Sequence, residues 1–148
     1  MLRKISVIAK STIKYRTEKF EPLHINACDN AFLLCLNRIS HMSQDEISNH
    51  VIINKSNTAR ILSRLENDGF IKRQVSKQDK RKMEVNLTEK GSSLIPLIKN
   101  INDEYEKFLT DTLTKEELAV FENILNKIYL QAVKYVKQDW GDENEHRV

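Results

Sequence analysis

The sequence predicts a mainly α-helical fold carrying one small β-hairpin. Three observations point there. Only 3 glycines and 2 prolines occur in 148 residues, too few punctuating residues for a chain of many tight turns. Apolar residues recur at helical spacing through most of the chain. The exception lies between Lys55 and Gly91, where the helix stop Asn67-Asp68-Gly69 precedes two short strand-like runs on either side of a charged loop.

The elements follow in order. A first helix is expected over residues 2–20, with Ile5, Ile8, Thr12 and Tyr15 on one stripe. Glu21-Pro22 ends it, because the residue before a proline is pushed out of the α region. A second helix is expected from near Asn26, whose side chain can cap the first turn. Phe32, Leu33, Leu36 and Ile39 supply its buried side, and Cys28, Phe32 and Cys35 run on a neighbouring track that leaves both thiols half-buried. Ser43-Gln44-Asp45-Glu46 has capping-box spacing and opens a third helix that buries Ile47 and Val51. After the short turn Ile52-Ile53-Asn54, Asn54 caps a fourth helix. There Thr58, Ile61, Leu62 and Leu65 face inward, and Asn57, Arg60 and Arg64 form a solvent-facing line.

Gly69 falls where a left-handed residue closes a helix. Residues 70–75 and 83–87 then read as paired strands with one buried face, joined by Ser76-Lys77-Gln78-Asp79-Lys80-Arg81-Lys82. Thr88 caps a long helix over 89–109, in which Leu94, Ile98, Ile101, Tyr105 and Phe108 repeat at a 3–4 spacing. Pro96 deletes one backbone bond inside it and is expected to bend or split it near residue 95. Thr114-Lys115-Glu116-Glu117 is a second capping box, opening a last helix with Leu118, Phe121, Leu125, Ile128, Ala132 and Tyr135 on one stripe. Residues 139–148 read as a polar, frayed tail.

Two helices joined by a short turn, the second polar on its outer side, make a helix-turn-helix, and the basic-tipped hairpin is its wing. Residues 55–90 hold ten Lys/Arg and five Asp/Glu, a balance of +5, whereas residues 101–148 hold six and eleven, a balance of −5. Attraction to a polyanion therefore belongs to one region. The long apolar stripes at both ends must be buried somewhere. A two-fold dimer is expected to bury Ile5, Ile8, Phe108, Leu118, Phe121, Leu125 and Ile128; packing within one chain is the alternative.

The charge-bearing stretch also resembles a known family. Asp79-Lys80-Arg81, then Val85-Asn86-Leu87-Thr88-Glu89-Lys90-Gly91, is similar to the wing pattern of MarR-type winged-helix regulators. Leu65-Glu66-Asn67-Asp68-Gly69-Phe70-Ile71-Lys72-Arg73 and Ser43 to Ile47 are similar as well. Gln78 and Ser76 depart from the family, which often has Arg and Asp there. The resemblance covers nearly the whole chain as one unit, 1–148. It implies a winged helix-turn-helix part over 23–91, dimerisation helices over 1–20 and 92–138, and a homodimeric, operator-binding transcriptional regulator, often a repressor released by a small ligand or by oxidation.

On that reading the fourth helix enters the major groove. Asn57 suits adenine, and Arg60 or Arg64 suits guanine. Ser56 and Thr58 can touch bases or phosphate. Arg64 can instead pair with Asp68. Lys55, Lys72 and Arg73 read as phosphate contacts. Arg81, with Lys80 and Lys82, tracks the minor groove, and Asp79 holds Arg81 or the loop backbone in shape. If Asp79 occupies Arg81 wholly, Lys77, Lys80 and Lys82 are left to touch phosphate. The half-sites of a pseudo-palindromic operator should lie roughly 10 bp apart.

Tyr15, Phe20, His24 and Phe32 could line the effector cleft that the resemblance implies; as ordinary core or surface residues they would line nothing. Cys28 and Cys35, seven apart in one expected helix and so about 10 Å apart, cannot form a disulfide within the chain. They are either oxidant sensors or structural thiols. No metal and no cofactor is expected: among His24, His41, His50 and His146 there is no pair at helical spacing. The chain lacks a glycine-rich phosphate loop and a nucleophile motif, which argues against an enzyme. A winged helix whose partner is another protein is the second rival. No apolar run approaches the roughly 18 residues of a membrane span, and Met1-Leu2-Arg3-Lys4-Ile5 lacks a signal peptide's apolar block. A cytoplasmic protein is expected.

Overall fold

A computed structural model describes residues 1–138; the expected tail, 139–148, lies outside them. The elements run α1 (Leu2–Phe20), a 3-10 turn (Glu21–Leu23), α2 (Asp29–Arg38), α3 (Gln44–Val51), α4 (Lys55–Asn67), β1 (Ile71–Val75), β2 (Met83–Leu87), α5 (Glu89–Thr110) and α6 (Lys115–Gln138). The chain divides into two units, Met1–Lys107 and Phe108–Val148.

The first unit is built around one apolar core. Phe20, Phe32, Leu33, Ile47, Leu62, Leu65, Phe70, Ile71, Val85 and Ile98 are its most deeply buried members. β1 and β2 pair antiparallel, with Ile71 opposite Leu87, Arg73 opposite Val85 and Val75 opposite Met83. A third segment adds to this hairpin, since Val85 N–H donates to the Met42 carbonyl at 2.8 Å. α1 and α5 meet along a polar seam. Tyr15 stacks on Tyr105 with centroids 4.4 Å apart, Tyr105 Oη donates to Ser11 Oγ at 2.7 Å, and Arg16 Nε donates to Asn102 Oδ1 at 3.0 Å.

Several expectations need correction. α2 begins at Asp29 rather than near Asn26, because the Asn26 backbone N–H donates to Asp29 Oδ2 at 2.7 Å. Cys28 therefore precedes the helix and is exposed, while Cys35 is buried. Ile39 leaves α2 in an extended conformation and is 40% exposed, not a core residue. Of the two outcomes expected at Pro96, a split is excluded, because α5 runs as one helix through it: one missing bond does not split a helix whose Ile95 and Ile98 are both seated in the core. In the second unit, α6 starts on the expected capping box, where Glu117 N–H donates to Thr114 Oγ1 at 3.2 Å and Thr114 N–H donates to Glu117 Oε2 at 2.9 Å. α6 contains no buried residue.

Candidate nucleic-acid interface

The helix pair is defined by its caps. Ser43 and Glu46 form a complete capping box at the start of α3. The turn that follows carries Ile52 at a left-handed φ of 57°. The next carbonyl, that of Ile53, accepts from Ser48 Oγ at 2.6 Å and Thr58 Oγ1 at 3.2 Å. Asn54 Oδ1 then accepts the Asn57 N–H at 2.9 Å and so caps α4.

On α4, Lys55, Ser56, Asn57 and Arg60 are exposed. Arg60 Nη2 reaches Asn57 Oδ1 at a long 3.4 Å, and Lys55 pairs with Asp45 at 3.1 Å. Thr58 is fully buried. Its hydroxyl is committed to the turn, so it cannot reach bases or phosphate. Arg64 is turned back into the protein: it ion-pairs with Asp29, not Asp68. Arg73 is likewise occupied. Its Nη1 bonds Glu66 Oε2 at 2.5 Å, its backbone N–H bonds Glu66 Oε1 at 3.1 Å, and Nη2 reaches Gln44 Oε1 at 3.5 Å. Lys72, on the same strand, is exposed.

The wing loop is shaped by backbone bonds. Ser76 N–H donates to the Lys82 carbonyl at 2.8 Å, and Lys82 N–H to the Asp79 carbonyl at 2.9 Å. The buried Ser76 hydroxyl accepts the N–H groups of Gln78 and Asp79 at 3.2 and 3.3 Å. Asp79 Oδ1 accepts the Arg81 N–H at 3.0 Å. With the loop so fixed, Lys77, Lys80, Arg81 and Lys82 are all exposed. Behind them, His41 Nδ1 lies 2.9 Å from Glu84 Oε2, and His41 N–H donates to Asn86 Oδ1 at 3.0 Å. The Ser76 hydroxyl first, and His41 after it, hold the Glu84 carboxyl below the usual range. Sequence reasoning missed Ser76, Glu84 and His41 as organisers. A serine opening a loop ahead of two free N–H groups was the available signal.

A cleft of about 830 Å³ opens beside α1, lined by Ile13, Arg16 and Thr17 and, beyond the helix, by His24, Asn26 and Cys28 among others. Of the four residues expected in such a cleft, only His24 borders it. Phe20 and Phe32 are fully buried in the core, and Tyr15 stacks on α5. The residues expected at a dimer interface are surface residues in the single chain: Ile5, Ile8, Phe108, Phe121, Leu125 and Ile128 are 42–74% exposed, and Leu118 is half-buried. Among the described residues no cluster of three or more His, Cys, Asp or Glu could hold a metal ion, and no helix is long and apolar enough to cross a membrane.

A sequence model of the MarR family matches residues 30–83. The transcriptional regulator BilQ of Clostridioides difficile is 32% identical over 89 residues, which span 57% of this chain and 60% of that protein. A MarR transcriptional regulator from Methanosarcina mazei Go1 superposes with a TM-score of 0.81 at 29% identity, covering 90% of this chain and 96% of the other. A mutant of MarR from E. coli, solved in complex with operator DNA, superposes with a TM-score of 0.77 at 24% identity, over 85% of this chain and 91% of that one. The matched residues run from α2 to the first residue of β2 and so contain the helix pair and the wing loop: over this stretch the chain is similar to MarR-family transcriptional regulators, and it shares their winged helix-turn-helix fold.

Proposed function

We propose that this chain is a homodimeric repressor that binds a pseudo-palindromic DNA operator through residues 23–91 and is released by a small ligand. The observation that carries the reading is the pairing of two exposed cationic features on one compact unit. The amino-terminal half of α4 offers Ser56, Asn57 and Arg60, and the wing loop offers Lys77, Lys80, Arg81 and Lys82. Arg60 fits a guanine edge and Asn57 an adenine edge. Lys55, Lys72 and the wing cations fit phosphates and the minor groove, which position the reader and sense groove width. Arg73 fits neither task, because Glu66 holds it.

Dimerisation through helices 1–20 and 92–138 is supported by the apolar residues that α1 and α6 expose, Ile5, Ile8, Phe121, Leu125 and Ile128 among them; a second copy would remove them from water. The cleft beside α1, with Arg16 and His24 on its wall, suits a small effector.

Electrophoretic mobility shift with the DNA upstream of the coding sequence tests the reading. Arg60→Ala should cost about 1–3 kcal/mol on the preferred sequence, and Lys80→Ala should weaken all duplexes alike. Raising salt from about 50 to 200 mM should lower affinity by orders of magnitude. Binding indifferent to salt and to both substitutions would refute it. Sedimentation of the chain as a monomer at micromolar concentration would refute the dimer.

A further inference from the structure

We propose that Arg64 is a positioning residue that seats the recognition helix α4 on the start of α2, and that it reads no base. This inference rests on the DNA-binding reading above.

The guanidinium is surrounded by acceptors from one short segment. It ion-pairs with Asp29, whose side chain is only 2% exposed while that of Arg64 is 39% exposed. With its amide oxygen turned toward the guanidinium, Asn26 places that oxygen 3.1 Å from Nη1 and Nη2 and 3.3 Å from Nε. Asp29 is itself fixed, since its Oδ2 takes the Asn26 backbone N–H at 2.7 Å. Nη2 is thus engaged by the Asp29 carboxylate, and one Asn26 oxygen lies against the guanidinium beside it. A bidentate guanine contact needs two of the guanidinium donors aimed outward at O6 and N7. If Arg64 swung away to make it, Asp29 would be left as a buried, uncompensated carboxylate, a strongly unfavourable state.

Two residues further along, Glu66 ties α4 to β1 through Arg73. The carboxyl-terminal half of α4 is therefore fastened on two sides, to α2 and to the wing strand. Ser56, Asn57 and Arg60, on the other half, are left to face DNA. Arg64 controls where they point.

The test uses the full-length chain, its upstream operator duplex, an unrelated duplex, and a panel of single-base-pair changes in the operator. Arg64→Lys keeps the charge but loses the planar fork that can bridge Asp29 and Asn26. Asp29→Asn removes the ion pair from the other side. Each should weaken operator binding about tenfold, and the double variant should lose no more than either alone, as coupled partners do. The rank order of the base-pair panel should be unchanged in all three. Should Asp29→Asn fail to give a cooperative thermal melt, Arg64→Lys and the panel decide alone. Loss of discrimination at one base pair in Arg64→Lys, or unchanged affinity in that variant, overturns the proposal. A wild-type chain that binds both duplexes equally, or neither, instead overturns the DNA-binding reading itself.

Discussion

A β-carbon on Gly91 would lie 2.1 Å from the carbonyl oxygen of Phe70. The first turn of α5 is drawn against the start of the hairpin by Thr88, whose Oγ1 donates toward the carbonyls of Gly69 at 2.7 Å and Phe70 at 3.1 Å. The same oxygen accepts the Gly91 N–H at 3.1 Å. Backbone meets backbone here, so no side chain can yield. Gly91→Ala should destabilise the fold by about 1–3 kcal/mol or more, read as a lower urea midpoint. An unchanged midpoint would mean that the α5 end shifts freely.

Asn54 supplies the side-chain cap of α4. Asn54→Ala should cost about 1 kcal/mol of stability, while Asn54→Ser or Asn54→Asp should retain most of it, since both can accept the same N–H. Equal losses in all three, measured by chemical denaturation, would show that the cap bond contributes nothing.

Glu46 accepts the Ser43 backbone N–H at 2.7 Å and the Ser43 hydroxyl at 2.8 Å. These bonds, the backbone one foremost, hold its carboxyl below the usual range. A carboxyl depressed in the folded state stabilises it above the unfolded-state pKa, and that contribution disappears as pH falls through the folded value. The stability gap between wild type and Glu46→Gln should therefore be flat near neutrality and narrow below about pH 4.3. A gap that stays constant down to acid unfolding would contradict this.

The two thiols should differ sharply. Cys28 is exposed, while Cys35 is buried with its Sγ 3.6 Å from Met42 Sδ, and burial pushes its pKa up. A thiolate-selective reagent should titrate one cysteine quickly in the native chain and both in denaturant. Cys28→Ser should abolish the fast phase; if Cys35→Ser abolishes it instead, the packing of α2 is other than described.

Much of the framework was legible because it is local. The caps at Ser43, Asn54, Thr88 and Thr114, the left-handed Gly69 and the inward stripe of Thr58, Ile61, Leu62 and Leu65 all act within a few residues. What could not be read depends on partners far apart in sequence. Nothing near Arg64 announces Asp29, thirty-five positions earlier, and the local candidate Asp68 was the wrong one. Asn26 looked like a cap because short polar side chains usually serve their own backbone, yet its amide faces the Arg64 guanidinium. Phe20 looked available for a cleft because nothing in its neighbourhood marks its depth, while Phe32, already on the buried side of the second helix by its spacing, lies wholly in the core.

The two fastenings on α4 also sort its charge. Arg64 is neutralised by Asp29 and Glu66 by Arg73, and Asp68 adds a negative charge just beyond the helix end. Net positive potential on this rod is thereby confined to its leading turns, where Arg60 stands beyond the Lys55–Asp45 pair and the peptide dipole carries the same sign. A polyanion would draw such a helix in tip first, already oriented before any hydrogen bond to a base has formed.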